Sequence, residues 1–378
     1  MKIAVVSHDS FWPLKGGGGI RVFWVMKKLM EKGHDITVIA PFNNPNKFKE
    51  HFPSIKICDL GPYSRFDKGK EIKYAQLSMK IFLKLLLINI DGIYAHNIVA
   101  AFPSYMASRI KKKPLIFDMD DILTGLSKNK IVNTLGRRLE FLIAKKSDCL
   151  ITMSQSLKQE LEKSKINRKI NVVFHGVDLS KFAPKKIKKE DKIIYIGGIE
   201  PHDGTVLIPE IAREIIRRYP TIKFQIIGEG SVLSSLVDRT VKYNLFKNFE
   251  FITWVKNEEI PDYLAKAKIG LITHFKTPAT DICLVLKGLE YMAMELPVVA
   301  PDLAGMREEF GNNQRGLLFE PGNPRDLTRK ILHLLRHTNL RYDLGRAGRN
   351  FVRKYCDWEK NAKQIAEISE DCIIKHRK

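Results

Sequence analysis

The chain has 378 residues, with 64 Lys and Arg against 42 Asp and Glu, so its formal net charge is +22. The length excludes a single ordinary hydrophobic core, and the 44% apolar and 28% charged residues are typical of a folded protein of two domains. The positive charge favours a polyanionic partner: nucleic acid, anionic lipid headgroups or a phosphorylated ligand.

The basic residues cluster without a nucleic-acid-binding motif, so we expect a membrane-surface role at least as readily as nucleic-acid binding. An ordinary solvated basic surface remains an alternative. The five cysteines have no metal-ligand spacing, and neither a signal peptide nor a bilayer-spanning apolar run is recognised. These features predict a cytoplasmic protein with reduced thiols that contacts the inner face of a membrane as a peripheral protein.

The N-terminal residues predict a phosphate site. Lys2–Val6 is an apolar run typical of a buried strand, and a loop with four glycines, Gly16–Gly19, leads into an amphipathic helix that starts near Ile20. Backbone N–H groups without side chains can approach an anion, and a helix N-terminus adds a favourable dipole. The pattern is not G-x-G-x-x-G, so it does not support a dinucleotide site, and a merely flexible turn is the alternative.

Polar residues follow each of the next strand candidates. Because parallel α/β sheets bind ligands just outside the carboxyl ends of their strands, these residues are candidates for one site. They are His96 and Asn97 after Gly92–Ala95, Asp118, Asp120 and Asp121 after Pro114–Phe117, and His175 after Asn171–Phe174. Any one histidine among them, taken alone, would more often have a structural role.

A second strand and helix series follows the polar, lysine-rich segment Lys181–Asp191, which we predict to be a linker. It opens with strand Lys192–Ile196 and Gly197–Gly198, and a later strand, Phe224–Ile227, ends in Gly228–Glu229–Gly230. The fold class is therefore α/β, with two doubly wound, parallel-sheet domains.

The most informative stretch is Lys276–Ala300, KTPATDICLVLKGLEYMAMELPVVA. A polar, irregular segment, Lys276–Asp281, is predicted to precede a helix from Leu284 to Met294. Glu290 lies on this helix, and an ionised carboxylate can accept two hydrogen bonds from a sugar diol. The alternative is a solvated glutamate on an ordinary helix face.

At this point the sequence resembles the retaining glycosyltransferases of the GT-B fold, in the family 4 that uses nucleotide sugars. The matching motifs occur in order along nearly the whole chain. They are GHDITVIAP (33–41), SDCLITMSQSLKQEL (147–161), FHGVDLSKFAP (174–184), IIGEGS (226–231), LKGLEYMAMELPVVA (286–300) and GLLFEPGNPRDL (316–327).

The resemblance implies two Rossmann-like domains facing across a cleft. Residues 1–184 form the acceptor-side domain, residues 185–357 the nucleotide-sugar domain, and residues 358–378 a helix that crosses back to the first domain. It also implies transfer of a sugar from a nucleoside diphosphate to an acceptor hydroxyl with retention, for glycolipid, cell-surface polysaccharide or glycan synthesis. No metal and no cofactor other than the donor substrate are expected.

Strand-end positions and the resemblance together give three groups of site residues. The expected catalytic residues are Asp120, Asp121 and Lys287. The expected donor-binding residues are Gly16, Gly17, Gly18, Gly198, Glu229, Lys276, Thr277, Leu286 and Glu290, with Glu290 on the ribose diol. The expected acceptor residues are His96, Asn97 and Asp118. Lys287 is expected to contact phosphate or to pair with Glu290 one turn later.

Three positions depart from the family pattern and suggest a divergent subfamily. Ile282 stands where many relatives have a second glutamate, and Gly198–Gly204 lacks an arginine and a lysine that relatives carry there. Asp120 stands where relatives often have a histidine. Lys276, Lys287 or Arg21 could replace the missing cations. The competing interpretation is a non-catalytic protein of the same fold that binds a nucleotide sugar or polyanion.

Overall fold

The computed structural model describes residues 1–12, 14, 16–62, 70–120, 122, 130–253 and 255–377. The chain forms two compact units, of which unit 1 comprises Met1–His175 and Trp358–Lys378, and unit 2 comprises Gly176–Asp357. The segment predicted as a linker, Lys181–Asp191, belongs to unit 2.

Unit 1 is built on a parallel sheet of seven strands in the order β3-β2-β1-β4-β5-β6-β7. Its strands are β1 (Lys2–Val6), β2 (Asp35–Ala40), β3 (Lys56–Asp59), β4 (Gly92–His96), β5 (Leu115–Met119), β6 (Cys149–Thr152) and β7 (Ile170–Val172). Strand order reverses between β1 and β4, where Val5 pairs with Tyr94, and ligands of such sheets bind at this reversal.

Six helices follow these strands: α1 (Gly17–Glu31), α2 (Pro45–His51), α3 (Lys70–Leu87), α4 (Asn97–Lys111), α5 (Lys130–Lys146) and α6 (Gln155–Lys163). The apolar face of α1 buries Val22, Val25, Met26 and Leu29 against the sheet, as its periodicity predicts. The hydroxyl of Ser154 accepts a hydrogen bond from the Leu157 N–H at 3.0 Å and caps α6.

Unit 2 is built on a parallel sheet of six strands in the order β10-β9-β8-β11-β12-β13. Its strands are β8 (Lys192–Ile196), β9 (Lys223–Ile227), β10 (Phe249–Ile252), β11 (Ile269–Leu271), β12 (Val298–Pro301) and β13 (Leu317–Phe319). Its helices are α7 (Ile208–Arg218), α8 (Leu233–Lys242), α9 (Ile260–Lys266), α10 (Pro278–Ile282), α11 (Leu286–Ala293), α12 (Ala304–Phe310), α13 (Pro324–Arg336) and α14 (Thr338–Tyr355).

The last helix, α15 (Trp358–Arg377), belongs to unit 1 and packs on α1. The indole rings of Trp24 and Trp358 stack with their centroids 6.4 Å apart. Around them, Lys28 forms ion pairs with Glu31 at 2.7 Å and with Glu359. Helix α15 is therefore held against α1 by an aromatic contact and by ion pairs around that contact.

The two parallel α/β domains predicted from the sequence are confirmed, while several element boundaries differ. Lys276–Asp281 was predicted to be irregular, but α10 begins there because Thr277 and Thr280 exchange side-chain to backbone hydrogen bonds at 3.1 and 2.8 Å. Helix α1 starts at Gly17 rather than near Ile20. None of the helices in the described part of the chain combines the length and apolarity needed to cross a bilayer.

Candidate active site

Glu290 lies on α11 in unit 2 and is buried, with 7% of its surface exposed. Among the residues that the structure describes, no group forms a hydrogen bond with its carboxylate. Burial raises the pKa of Glu290 to about 7, against the attraction of the Lys181 and Lys287 ammonium groups. A buried carboxylate without hydrogen bonds is costly unless a ligand satisfies it.

Lys287 lies one turn before Glu290, but its closest contacts are elsewhere. Its ammonium lies 3.1 Å from the Tyr195 hydroxyl, 4.4 Å from the centroid of that ring, and 3.8 Å from Asp203 Oδ1. Of the two contacts expected for Lys287, with phosphate or with Glu290, the ion pair with Glu290 is not formed, and the ammonium interacts with Asp203 instead. Burial lowers the pKa of Lys287, and the Asp203 carboxylate opposes this shift.

Asp203 lies in the loop after β8 and organises the surroundings of Lys287. Its Oδ1 is 3.1 Å from His274 Nε2, and its Oδ2 accepts a hydrogen bond from the Glu200 N–H at 2.9 Å. Although burial opposes it, the contacts with His274 and Lys287 hold the pKa of Asp203 well below its usual range. An ionised carboxylate thus stands in the loop where the family resemblance led us to expect cations.

Two glycines keep space beside these side chains. Gly197 has φ +142°, and a Cβ there would lie 2.8 Å from the Lys287 ammonium. Gly288 lies against buried Glu309, whose Oε1 would be 2.0 Å from an added Cβ. Because Glu309 Oε2 accepts a hydrogen bond from the Val285 N–H at 3.1 Å, this carboxyl group fixes the start of α11, which carries Glu290.

The other predicted donor residues of unit 2 are less enclosed. A Cβ at Gly198 would lie 3.2 Å from Asp203 Oδ2, whereas Glu229 is exposed. Lys276 is exposed and pairs with Asp281 at 3.5 Å. Thr277 caps α10, and Leu286 is the half-buried first residue of α11.

In unit 1, the predicted strand-end residues meet around Asp120. Its carboxylate oxygens lie 2.8 Å from His175 Nε2 and 3.5 Å from His96 Nε2, and its backbone N–H donates to Asn97 Oδ1 at 3.1 Å. Although burial opposes it, the neighbouring His175 and His96 hold the pKa of Asp120 well below its usual range. Burial lowers the pKa of His96, but Asp120, Asp118 and Asp9 outweigh burial and raise it. Asp121 lies outside the described residues.

The roles predicted for Asp118 and Arg21 are wrong, because the two side chains form a buried ion pair with each other. Strand β5 runs to Met119, so Asp118 stays within the sheet, fully buried. Arg21 donates to its two oxygens at 2.7 and 2.9 Å, and the Tyr94 hydroxyl also donates to it. The pair is structural, so Arg21 does not replace a missing donor-binding cation and Asp118 does not contact the acceptor.

The glycine loop lies close to a cluster of polar side chains formed by His8, Asp9 and His96. A Cβ at Gly18 would lie 2.3 Å from Asp9 Oδ2 and 2.7 Å from His96 Cε1, so glycine alone fits there without displacing them. Gly16 is the exposed residue before α1, with φ 80°, and Gly17 opens the helix. Ligand atoms of His8, Asp9 and His96 lie within 4.8 Å of one another, a grouping that could hold a metal ion.

Several residues of these clusters were missed from the sequence. His8 and Asp9 follow β1, Asp203 follows β8, and His274 follows β11, so the strand-end rule that selected His96 also applies to them. Glu309 carries no such signal. Its importance depends on packing beneath α11, which is distant in sequence.

Models of two protein families match the chain: Glycosyltransferase Family 4 over residues 15–181 and Glycosyl transferases group 1 over residues 177–351. An uncharacterized glycosyltransferase of Methanocaldococcus jannaschii is 26% identical over 373 residues, covering 97% of this chain and 98% of that protein.

Solved structures of glycosyltransferases share the fold. Sucrose-phosphate synthase from Thermosynechococcus elongatus has a TM-score of 0.83 at 18% identity, covering 99% of both chains. HepE of Anabaena in complex with UDP-glucose has a TM-score of 0.76 at 16% identity, covering 98% of this chain and 100% of that chain. With two adjoining family matches that together span residues 15–351, the chain belongs to the group 1 glycosyltransferases of GT-B fold and is a transferase enzyme.

Proposed function

We propose that the protein is a retaining, metal-independent glycosyltransferase that moves a sugar from a nucleoside diphosphate to an acceptor hydroxyl. The observation that carries the proposal is the Glu290 carboxylate, which is buried on α11 and has no hydrogen-bond partner among the described residues. A diol on the donor would supply the two missing hydrogen bonds.

The donor is proposed to bind unit 2 through two neighbouring groups. The ribose hydroxyls donate to Glu290, and the diphosphate lies near the ammonium of Lys287. The complex of the Anabaena relative with UDP-glucose supports a donor of this class, at the level of a shared fold. Lys287 is suited to the role because its ammonium is already held by Tyr195 and Asp203.

The chemical requirement is to stabilise a departing diphosphate and an oxocarbenium-like carbon. Fixed positive groups and backbone dipoles can do this without a dedicated base, because they act where charge develops in the transition state. In this proposal Lys287 stabilises the leaving diphosphate. Gly16, Gly17 and Gly18, at the N-terminus of α1 in unit 1, keep their predicted role towards a phosphate group.

Unit 1 is proposed to bind the acceptor near Asp120. Its carboxylate would orient an acceptor hydroxyl or stabilise positive charge at the anomeric carbon, and His96 and Asn97 lie beside it. The proposed acceptor is a sugar, a lipid-linked molecule or another hydroxyl compound in glycolipid, polysaccharide or glycan synthesis. The charge of +22 further supports work at the inner, anionic face of a membrane.

A panel of UDP, GDP and ADP sugars tests the proposal. We expect one donor to raise the melting temperature by mass action and to be hydrolysed or transferred with retention. Turnover should persist in EDTA, whereas its loss and recovery with one added divalent ion would contradict metal independence and point to His8, Asp9 and His96. Tight binding without turnover for any acceptor would favour a non-catalytic nucleotide-sugar-binding protein.

Replacing Asp203 with Asn tests the role of Lys287. The Asp203 carboxylate raises the pKa of Lys287 against the effect of burial, so its removal should lower that pKa further. Activity that needs the ammonium should then decline at a lower pH on the alkaline side, as measured by kcat/KM against pH. Asp343→Asn, which alters an exposed pair with Arg346, is the control. An unshifted alkaline limb in D203N would contradict the proposed role of Lys287.

A further inference from the structure

Helices α3, α4 and α5 of unit 1 expose large apolar side chains that a solvated surface does not need. α3 packs against α4, and α4 packs against α5, so the three helices form one layer. On α3 the exposed residues recur every fourth position and form a stripe along the helix, as do those of α4. The exposed apolar residues of the layer are Met79, Leu83, Leu87, Met106, Ile110, Leu135 and Leu142.

The exposure is large at several of these positions. Leu87 is 81% exposed, Ile110 61% and Leu135 59%. The opposite side of α3 is ordinary core, because Leu77, Ile81 and Leu85 are buried. Each helix thus has one apolar face in the core and carries further apolar residues on its outer side.

The charges on the same helices are almost all of one sign. Over residues 73–87, 97–111 and 133–146, the single acidic residue is Glu140, and it is fully buried. The basic residues in these ranges are Lys73, Lys80, Lys84, Arg109, Lys111, Arg137, Arg138, Lys145 and Lys146.

Some of these basic residues are neutralised within the protein. Arg109 pairs with Asp148 at 2.7 Å and Arg137 pairs with Glu160 at 2.5 Å. By contrast, Lys84, Arg138, Lys145 and Lys146 form no ion pair with the residues that the structure describes. Positive charge therefore remains available beside the exposed apolar side chains.

We propose that this α3–α5 face, defined by the seven exposed apolar residues and the four unpaired basic residues, binds an anionic lipid bilayer. Apolar side chains flanked by cations match the interface between acyl chains and anionic headgroups. A protein partner would need acidic groups and apolar side chains placed together on its surface to match this face. An anionic bilayer supplies negative headgroups and apolar acyl chains over its whole area. The inference rests on the proposed membrane association and not on the identity of the donor.

The test uses the full chain and co-sedimentation with vesicles. Vesicles of phosphatidylcholine and phosphatidylglycerol in equal amounts should sediment the protein, and vesicles of phosphatidylcholine alone should not. Replacing the four basic residues by Gln should weaken binding about a hundredfold or more, from the contribution of each charge at an anionic surface. High salt should weaken wild-type binding in the same direction.

A second variant, L83S/L87S/I110S, replaces three of the seven exposed apolar side chains, including the two most exposed, and leaves every charge in place. We expect it to bind the anionic vesicles at least tenfold more weakly. The matched control is V241S/F246S, which alters two exposed apolar residues of unit 2 and should bind like the wild type. Donor hydrolysis should be unchanged in the apolar variants, which separates a failure of this inference from a failure of the proposed reaction.

Three results would overturn the inference. Wild-type protein that ignores anionic vesicles would remove membrane association altogether. Face variants that bind as tightly as the wild type would move the bilayer contact elsewhere. An oligomer seen by light scattering for the wild type, and lost in L83S/L87S/I110S, would assign the face to a second copy of the chain.

Discussion

Replacing Glu290 with Ala is expected to weaken binding of the nucleoside diphosphate and of its sugar by about a hundredfold or more. Two hydrogen bonds from a ribose diol to a buried carboxylate contribute about 1.5–3 kcal/mol each, and every 1.4 kcal/mol, roughly, is tenfold in affinity. Calorimetric titration with the nucleotide identified in the donor panel measures the change. Glu295→Gln, at an exposed glutamate just beyond the end of α11, is the control and should leave affinity unchanged.

The pH dependence of Glu290→Gln separates a lost ligand contact from a damaged fold. The pKa of Glu290 is about 7 in the folded protein, against 4.5 for an ordinary glutamate, so the folded state holds its proton more tightly. Stability therefore falls as pH rises from about 4.5 to about 7, because the unfolded state binds fewer protons in that window. Glu290→Gln removes this loss, and should raise the unfolding free energy above pH 7 by up to about 3 kcal/mol.

Donor affinity should show the opposite pH trend. The diol binds the ionised carboxylate, so wild-type affinity should fall about tenfold per pH unit below about pH 7. Titration of the nucleotide itself is shared by wild type and Glu290→Gln and cancels in the ratio of their affinities. A Glu290→Gln protein that is stabilised at pH 8 yet binds nucleotide like the wild type would remove Glu290 from the donor site.

The arrangement around α11 shows how far sequence reasoning reached. Glu290 and Lys287 were selected because they share a helix within a recognisable family motif. The contact of Lys287 with Asp203 was not predicted, since residues 203 and 287 come from separate strand-to-helix connections and nothing local marks the pairing. The i, i+3 pair with Glu290, one of the two contacts expected for Lys287, is not formed because the ammonium lies closer to the Tyr195 ring and the Asp203 carboxylate.

Asp118 and Asp120 of unit 1 also show what could not be predicted from the sequence. Both follow an apolar run, and the sequence gives no reason to treat them differently. Their positions relative to the end of β5 make the difference. The strand continues through Met119, and Asp118 therefore stays in the interior of the sheet. Asp120 emerges at the strand end beside His96 and His175, where strand-end reasoning places ligands.

Replacing Arg21 with Ala is expected to lower the unfolding free energy by about 3–5 kcal/mol, because it leaves the Asp118 carboxylate buried without its counter-ion. Both side chains are fully buried, and Arg21 also donates to the Val173 carbonyl at 3.2 Å. Urea unfolding followed by tryptophan fluorescence measures the change. A Trp254→Phe background restricts the signal to Trp12, Trp24 and Trp358, which all belong to unit 1.

The stability of R21A is compared with that of two other variants. Lys56→Ala removes an exposed pair with Asp35 at 2.6 Å and should cost less than about 1 kcal/mol. The variant R21M/D118L/Y94F replaces the whole buried polar group with apolar side chains and should be more stable than R21A, because no charge or hydroxyl is left unpaired. If R21A were as mild as K56A, the pair would not anchor α1 to β5. The positions of the glycine loop before Arg21 and of Asp120 after Asp118 would then need another explanation.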